Sequence, residues 1–230
     1  MLKNKVFFFR INFDENIGFG HLARCLRIAD KSKNKSNFIV DKNKDYEFIK
    51  DIRHNFNYLY KKKEKFSELL DAKKVEKIIR KKKDVILFVD DYRVGRKWHD
   101  YFRKRGIKLV VIDDLLNRKV NCDVYINYKL DQSEKFKSNL DKFVIKNAKK
   151  LIGPKYSIFD KDLIRKDSKS FNIMFNFGNS FDYKNVTNQI KNLYKLANKK
   201  IKKFQFILPI GNGAKNYENL IKFSKNNTKL

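Results

Sequence analysis

Continuously apolar segments of strand length, separated by helical patterns, restrict the fold of this chain more than any other feature. The clearest segment is Val85-Ile86-Leu87-Phe88-Val89, which has no polar alternation. A strand of this kind suits a parallel sheet that helices cover on both faces. The predicted strands are Val6–Arg10, Asn37–Asp41, Asn57–Tyr60, Val85–Asp90, Lys108–Asp113 and Val124–Asn127. The predicted helices are His21–Lys33, Tyr46–Arg53, Ala72–Lys82 and Arg96–Lys104. The pattern therefore predicts an α/β fold.

A second, shorter α/β pattern begins at Phe171, after a charged and irregular segment. Its predicted elements are strand Phe171–Phe177, helix Lys184–Asn198, strand Phe204–Pro209 and helix Tyr217–Ser224. We predict an N-terminal α/β lobe over residues 1–156, a linker over 157–170 and a partial C-terminal α/β lobe over 171–230. Two strands and two helices make a small core, so we expect the second lobe to be incomplete.

The net charge of +29 raises the question of nucleic acid as a partner. The lysines are spread over the whole chain in short runs such as Lys61-Lys62-Lys63 and Lys81-Lys82-Lys83, and no known nucleic-acid motif accompanies them. This distribution indicates that most of the lysines lie on solvent-exposed helix faces. The positive charge would also help to attract an anionic small molecule. We expect no specific nucleic-acid partner.

The sequence contains no apolar stretch of membrane-spanning length, and the apolar run before Arg10 is too short for a signal peptide. We therefore expect a cytoplasmic protein without a membrane span. Cys25 and Cys122 are the only cysteines and have no metal-ligand spacing, so neither a disulfide framework nor a metal site is expected. Cys25 lies on the apolar face of the first predicted helix, which favours a buried thiol.

A Gly-x-Gly-His motif, Gly18-Phe19-Gly20-His21, joins the first predicted strand to the first predicted helix. Glycines in such a turn let backbone N–H groups approach an anion. The helix N-terminus favours the neutral imidazole that a general base requires. The motif therefore combines a candidate anion site with a candidate base.

Simpler interpretations stand beside this one. Gly-x-Gly turns before helices are common, and this one lacks the acidic ribose ligand of a dinucleotide fingerprint, although Ala23 fits its third small position. A lone histidine at a helix start is more often a cap or a surface residue. Two predicted strands end in acid pairs, Asp90-Asp91 and Asp113-Asp114, at the sheet edge where ligands gather. For at least one acid of each pair we expect a loop-capping role instead.

Several motifs together resemble a known enzyme family, the UDP-sugar hydrolases of pseudaminic acid biosynthesis (UDP-2,4-diacetamido-2,4,6-trideoxy-beta-L-altropyranose hydrolases). The resemblance runs from near residue 5 to near residue 215, and each motif is short, but their order is fairly specific. The matching segments are Arg10 with Ile17 to Cys25, Val89-Asp90-Asp91-Tyr92, Ile112-Asp113-Asp114, Cys122-Asp123 with Asn127, Leu151 to Tyr156, and Phe175-Asn176-Phe177-Gly178 with Asp182, Asn185 and Thr187.

The resemblance implies a two-lobed, glycosyltransferase-B-like Rossmann architecture in which the second lobe binds the nucleotide. It implies hydrolysis of the sugar C1–O bond of a UDP-linked deoxyamino sugar, with release of UDP and no cofactor. His21 then occupies the position of the base that activates water. A nucleoside diphosphate is a good leaving group, so the reaction needs little beyond this base and positive character near the diphosphate, which Arg24 can supply. The implied substrate-binding residues are Arg10, Gly18, Phe19, Gly20, Arg24, Asp91, Tyr92, Asp114, Asn127, Tyr156 and Gly178.

The sequence departs from the family pattern at three places. Asn12 stands where the family usually has Asp, and Asn179 where it has a second glycine. The chain also ends before the Gly-rich segment and the acidic residue that bind uridine and ribose in the family. We therefore expect weak UDP binding and self-association through the incomplete second lobe. Two alternatives stay open: a related UDP-sugar-dependent glycosyltransferase, and a noncatalytic sugar-binding remnant.

Overall fold

The structure is a computed structural model that describes residues 5–14, 17–41, 46–60, 65–131, 133–158, 171–176, 188–193, 195, 201–207, 222 and 225. The chain divides into two compact units. One comprises Met1–Phe13 and Gly20–Asp160, and the other comprises Asp14–Phe19 and Lys161–Leu230.

The first unit is built on a seven-stranded parallel sheet. Its strands are β1 (Val6–Ile11), β2 (Asn37–Val40), β3 (Asn55–Tyr58), β4 (Val85–Asp90), β5 (Lys108–Ile112), β6 (Val124–Asn127) and β7 (Lys149–Ile152). Its helices are α1 (Gly20–Asp30), α2 (Glu47–Lys50), α3 (Glu68–Ile79), α4 (Arg96–Arg103) and α5 (Glu134–Phe143). The strand order is β3-β2-β1-β4-β5-β6-β7, and every pair is parallel. This Rossmann-like strand order confirms the predicted α/β fold. Successive strands are added on one side from β1 to β3 and on the other side from β4 to β7, so the strand order reverses between β1 and β4.

Phenylalanines cover the face of the sheet next to α1. Phe9 stacks on Phe38 and on Phe88, with ring centroids 4.9 and 4.6 Å apart. Phe38 in turn stacks on Phe56 at 5.2 Å. These rings share one face because successive side chains of a strand alternate between faces. The aromatic row ties β3, β2, β1 and β4 together beneath α1.

The opposite face carries the main apolar core. Phe8 of β1 and Leu87 of β4 are fully buried there, together with Trp98 and Phe102 of α4. Ala72, Val75 and Ile79 of α3 belong to the same cluster. These contacts place α3 and α4 against the sheet, at the spacing of an amphipathic helix face.

Every predicted strand and helix of the first unit is present, most of them with shifted ends. Helix α3 begins at Glu68, earlier than predicted, because the side chain of Ser67 accepts a hydrogen bond from the backbone N–H of Leu70 and caps the helix. Strand β3 begins at Asn55, two residues before the predicted start. Strand β7 and helix α5 were not predicted as elements. Helix α2 is shorter than the predicted Tyr46–Arg53.

In the second unit, strands β8 (Phe171–Asn176) and β9 (Ile201–Ile207) pair in parallel. The described residues 188–193 and 195 are helical, within the predicted helix Lys184–Asn198. The greater part of the predicted linker and of the helix Tyr217–Ser224 lies outside the described residues, and the predicted domain boundaries stay a prediction. In the part of the chain that the structure describes, no helix has both the length and the apolar character needed to cross a bilayer.

Candidate functional site

The candidate site lies at the carboxyl ends of β1 and β4, where the strand order reverses. His21 is the second residue of α1, the helix that follows β1, and Asp90 is the last residue of β4. The register pairs Ile11 with Asp90, so the two strands end at the same level. In open parallel sheets this reversal opens a crevice in which ligands bind.

His21 is held by a buried carboxylate. Its Nδ1 lies 2.7 Å from Oδ1 of Asp90, a side chain with no solvent exposure. An ionised carboxylate only accepts hydrogen bonds, so the proton of this bond lies on Nδ1. The neutral ring then has its lone pair on Nε2, for which we find no hydrogen-bond partner among the described residues. This is the arrangement in which a carboxylate fixes the tautomer of a histidine base.

Arg24 lies one helical turn after His21 and binds the same carboxylate. Its Nε and Nη2 donate to the two oxygens of Asp90, and its Nη1 donates to the hydroxyl of Tyr128. Burial alone would lower the pKa of Arg24, but the hydrogen bonds to Asp90 and the charge of this carboxylate raise the pKa above its ordinary value. Arg24 therefore keeps its positive charge beside His21.

Tyr92 extends this network towards the end of β5. Its ring meets the edge of the His21 ring at 4.7 Å between centroids, and its hydroxyl donates to Oδ1 of Asp114. Arg24 Nη2 donates to the same hydroxyl at 3.3 Å. Burial and the hydrogen bond to Asp114 raise the pKa of Tyr92, so the phenol keeps its proton.

Cys25 closes the buried side of the network. Its Sγ lies 3.6 Å from Oδ2 of Asp90 and is fully buried. Burial raises the pKa of this thiol well above its ordinary value, and the charge of Asp90 adds to the shift. Cys25 is therefore a protonated packing residue, which confirms the predicted buried thiol.

A second ionic cluster surrounds Arg10 on the opposite face of the sheet. Arg10 is fully buried, and it donates to Asp71 of α3 at 2.6 Å and to Asp41 at 2.6 Å. Its Nη2 lies 3.4 Å from Asp91, which also binds Arg93. A ligand would have to displace one of these carboxylates to reach the guanidinium of Arg10. The role of Arg10 and Asp91 in substrate binding stays a prediction.

In each of the two acid pairs, one carboxylate caps a loop, as predicted. Asp91 accepts a hydrogen bond from the backbone N–H of Arg93, whereas Asp90 faces His21. Asp113 accepts from the backbone N–H groups of Leu115 and Leu116, whereas Asp114 accepts from Tyr92. One acid of each pair therefore caps a loop and the other joins the network around His21.

The glycines of the motif differ in what their positions require. Gly18 has a φ of +89°, and its N–H donates to the carbonyl oxygen of Asp14 at 2.7 Å, closing a tight turn. Gly20 begins α1, and a Cβ built on it would meet no atom of the described residues within 4 Å. Phe19, between them, is partly buried.

The other three predicted substrate-binding residues are Asn127, Tyr156 and Gly178. Asn127 is fully buried at the end of β6 and accepts from the backbone N–H of Lys129 at 3.0 Å. Tyr156 is half-buried at the end of a 3₁₀ turn, and Gly178 lies outside the described residues. The structure thus brings His21, Arg24, Tyr92 and Asp114 into one network.

Sequence reasoning missed two members of this network, Asp90 and Tyr128, as site residues. The strand pattern held a signal for Asp90, because it lies two residues after Phe88 and so faces α1. For Tyr128 the sequence held no comparable signal.

A metal site receives no support from the described part of the chain, where no group of three potential ligands could hold an ion. A surface cleft of about 230 Å³ lies between the segments 119–121 and 141–146. None of the predicted site residues lines this cleft.

In comparisons with known proteins, no protein-family model matches the sequence, and no curated protein is significantly similar to it.

Proposed function

We propose that this chain hydrolyses a UDP-linked deoxyamino sugar, breaking the C1–O bond of the sugar and releasing UDP. The observation that carries the proposal is the His21–Asp90 pair at the reversal of the strand order, with Nε2 of His21 left without a partner among the described residues. The choice of substrate rests on the resemblance of the sequence motifs to the UDP-sugar hydrolases.

In the proposed step, Nε2 of His21 takes a proton from a water molecule as the water oxygen forms a bond to C1. The C1–O bond breaks, and its electron pair leaves with UDP. Asp90 stabilises the imidazolium that forms, because the positive ring stays hydrogen-bonded to a buried negative charge. His21 then returns the proton to solvent.

Arg24 supplies permanent positive charge close to this base. A departing diphosphate carries its negative charge without protonation by a strong acid, so the paired carboxylates of ordinary glycosidases are not needed. Hydrogen bonds from cationic groups to a phosphate oxygen are stronger than neutral ones. In the proposal, the positive charge of Arg24 therefore stabilises the departing diphosphate, and His21 takes the proton of the attacking water.

The proposal includes the two-lobed, glycosyltransferase-B-like architecture. Its support is the order of the family motifs and the parallel β8–β9 pair, which is typical of a second α/β lobe.

The test is UDP release by the purified chain from a UDP-linked diacetamido deoxysugar, with the His21→Asn variant alongside. We expect His21→Asn to lower turnover by about 10²–10⁴-fold, the usual contribution of a general base. His54→Asn is the matched control, since His54 binds Asp30 and Ser36 away from the network. Equal turnover in a folded His21→Asn protein would remove His21 from the mechanism. UDP release only in the presence of an acceptor sugar would identify a glycosyltransferase and overturn the proposal.

A further inference from the structure

Tyr128 is a tyrosine partner of Arg24 that lies on a different strand end from Asp90. It directly follows β6, is half-buried, and accepts a hydrogen bond from Nη1 of Arg24. The guanidinium carbon of Arg24 also lies 5.8 Å from the centre of the Tyr128 ring. Position and contacts thus join Tyr128 to the network around His21.

The hydroxyl groups of Tyr92 and Tyr128 are used differently. Each accepts a hydrogen bond from Arg24. The O–H of Tyr92 donates a hydrogen bond to Asp114. The O–H of Tyr128 has no acceptor within the described ranges, so a donor is left available at the carboxyl end of β6.

Arg24 makes this donor stronger. The guanidinium pulls electron density from the hydroxyl oxygen that accepts its N–H, and a polarised O–H donates more strongly to the next acceptor. Nε and Nη2 of Arg24 are already bound to Asp90. The positive charge of Arg24 therefore acts on a ligand partly through the hydroxyl of Tyr128.

We propose that Tyr128 donates a hydrogen bond to an anionic oxygen of the substrate diphosphate. The inference rests on the proposed function for its substrate class. An anionic oxygen is the acceptor that gains most from a donor backed by a guanidinium, and the diphosphate is the anionic part of a UDP-sugar. The interaction strengthens as the C1–O bond breaks, because negative charge then builds on the departing oxygen.

The experiment compares Tyr128→Phe with wild type in two measurements: kcat/KM for the UDP-sugar, and the affinity for UDP and for inorganic pyrophosphate by calorimetric titration. Tyr101→Phe is the matched control, because it removes a hydroxyl that binds Glu76 on the surface. We expect Tyr128→Phe to lower kcat/KM, and to weaken UDP and pyrophosphate binding, by about 10–100-fold, the range for a hydrogen bond to a charged group. Tyr101→Phe should match wild type in both.

The two readouts separate this inference from the proposed function. A wild-type chain that binds UDP but releases none from the UDP-sugar would overturn the proposed function, while the titrations still test Tyr128. Equal UDP and pyrophosphate affinities in Tyr128→Phe and wild type would overturn the inference, even with reduced turnover, since Tyr128 would then only position Arg24. Absence of wild-type binding to either anion would overturn it as well.

Discussion

At the scale of single residues, Asp90 and Asp91 show how adjacent carboxylates reach different networks. Asp90 ends β4 on the side of α1 and binds His21 and Arg24. Asp91 binds Arg93 and lies near Arg10 on the other side. Burial alone would raise the pKa of Asp91, but the hydrogen bond from Arg93 and the charge of Arg10 lower it below its ordinary value. Of the two acids, it is Asp90 that contacts Nδ1 of His21 and holds the ring proton there.

Asparagine substitutions at the two positions should therefore have different effects. In Asp90→Asn, the new amide donates to Nδ1 of His21 and moves the ring proton to Nε2, so turnover should fall by about 10²–10⁴-fold. Asp91→Asn removes a negative charge between two arginines and should lower the free energy of unfolding by about 1–3 kcal/mol. Turnover assays and chemical denaturation of both variants check this. An Asp90→Asn protein with wild-type turnover would contradict the role of Asp90.

Burial of His99 lowers the stability of the fold for a reason that is unrelated to the candidate site. His99 is fully buried in α4, and neither ring nitrogen has a hydrogen-bond partner among the residues that the structure describes. Burial, with the charge of Arg118, lowers the pKa of His99 to about 3, against a smaller opposing effect of Asp100. The unfolded chain then binds a proton at this histidine first, as the pH falls below about 6.5.

The stability that the neutral His99 contributes is complete above pH 6.5 and is lost as the pH falls towards 3. We predict that His99→Phe raises the free energy of unfolding at neutral pH by about 1–3 kcal/mol, because it removes unsatisfied buried nitrogens. The variant should also lose less stability than wild type between pH 6.5 and 4. Denaturation curves across this range are the measurement, and equal pH slopes in the two proteins would refute the assignment.

At the scale of elements, buried strands could be predicted closely from the sequence, whereas the edge strand β3 was predicted two residues late and the edge strand β7 was not predicted. Val85–Asp90 was predicted with its observed bounds because a strand buried on both faces is apolar throughout. Strand β7 begins with two lysines at the sheet edge, and the apolar residues of α5 are few, so both lacked a clear pattern. Asp90 and Asp91 point to opposite faces because successive side chains of a strand alternate, but which face α1 covers depends on contacts between distant segments. For this reason the sequence indicated the acid pair but not the member that binds His21.

The turn before α1 gives a test of the anion site. Gly18 needs its positive φ, so Gly18→Ala should lower stability by about 1–2 kcal/mol through backbone strain. Gly20 has no positive φ, and a Cβ there would meet no described atom within 4 Å, so Gly20→Ala should leave the melting temperature near the wild-type value. If a phosphate approaches the backbone there, Gly20→Ala should still weaken UDP binding. Thermal melting and UDP titration of the two variants distinguish these effects, and unchanged UDP affinity in Gly20→Ala would argue against an anion at this turn.

At the scale of the whole molecule, the strand order creates the site. His21 and Asp90 are far apart in the sequence, and they meet because β1 and β4 are neighbours in the sheet. The network itself is nearly balanced in charge, since Arg24 faces Asp90, while the chain as a whole carries a net charge of +29. The excess charge attracts anions at long range and loses this effect with added salt. The local geometry, rather than the net charge, has to select the substrate.

The position of oxygen-18 after hydrolysis in labelled water tests the central claim most directly. If His21 activates water for attack on C1, the released sugar carries the label at C1 and the released UDP carries none. His21→Asn should reduce the labelled sugar in step with turnover. Label in the β-phosphate of UDP would show attack on phosphorus, and it would contradict hydrolysis at the sugar C1–O bond, as would the absence of any UDP release from the intact chain.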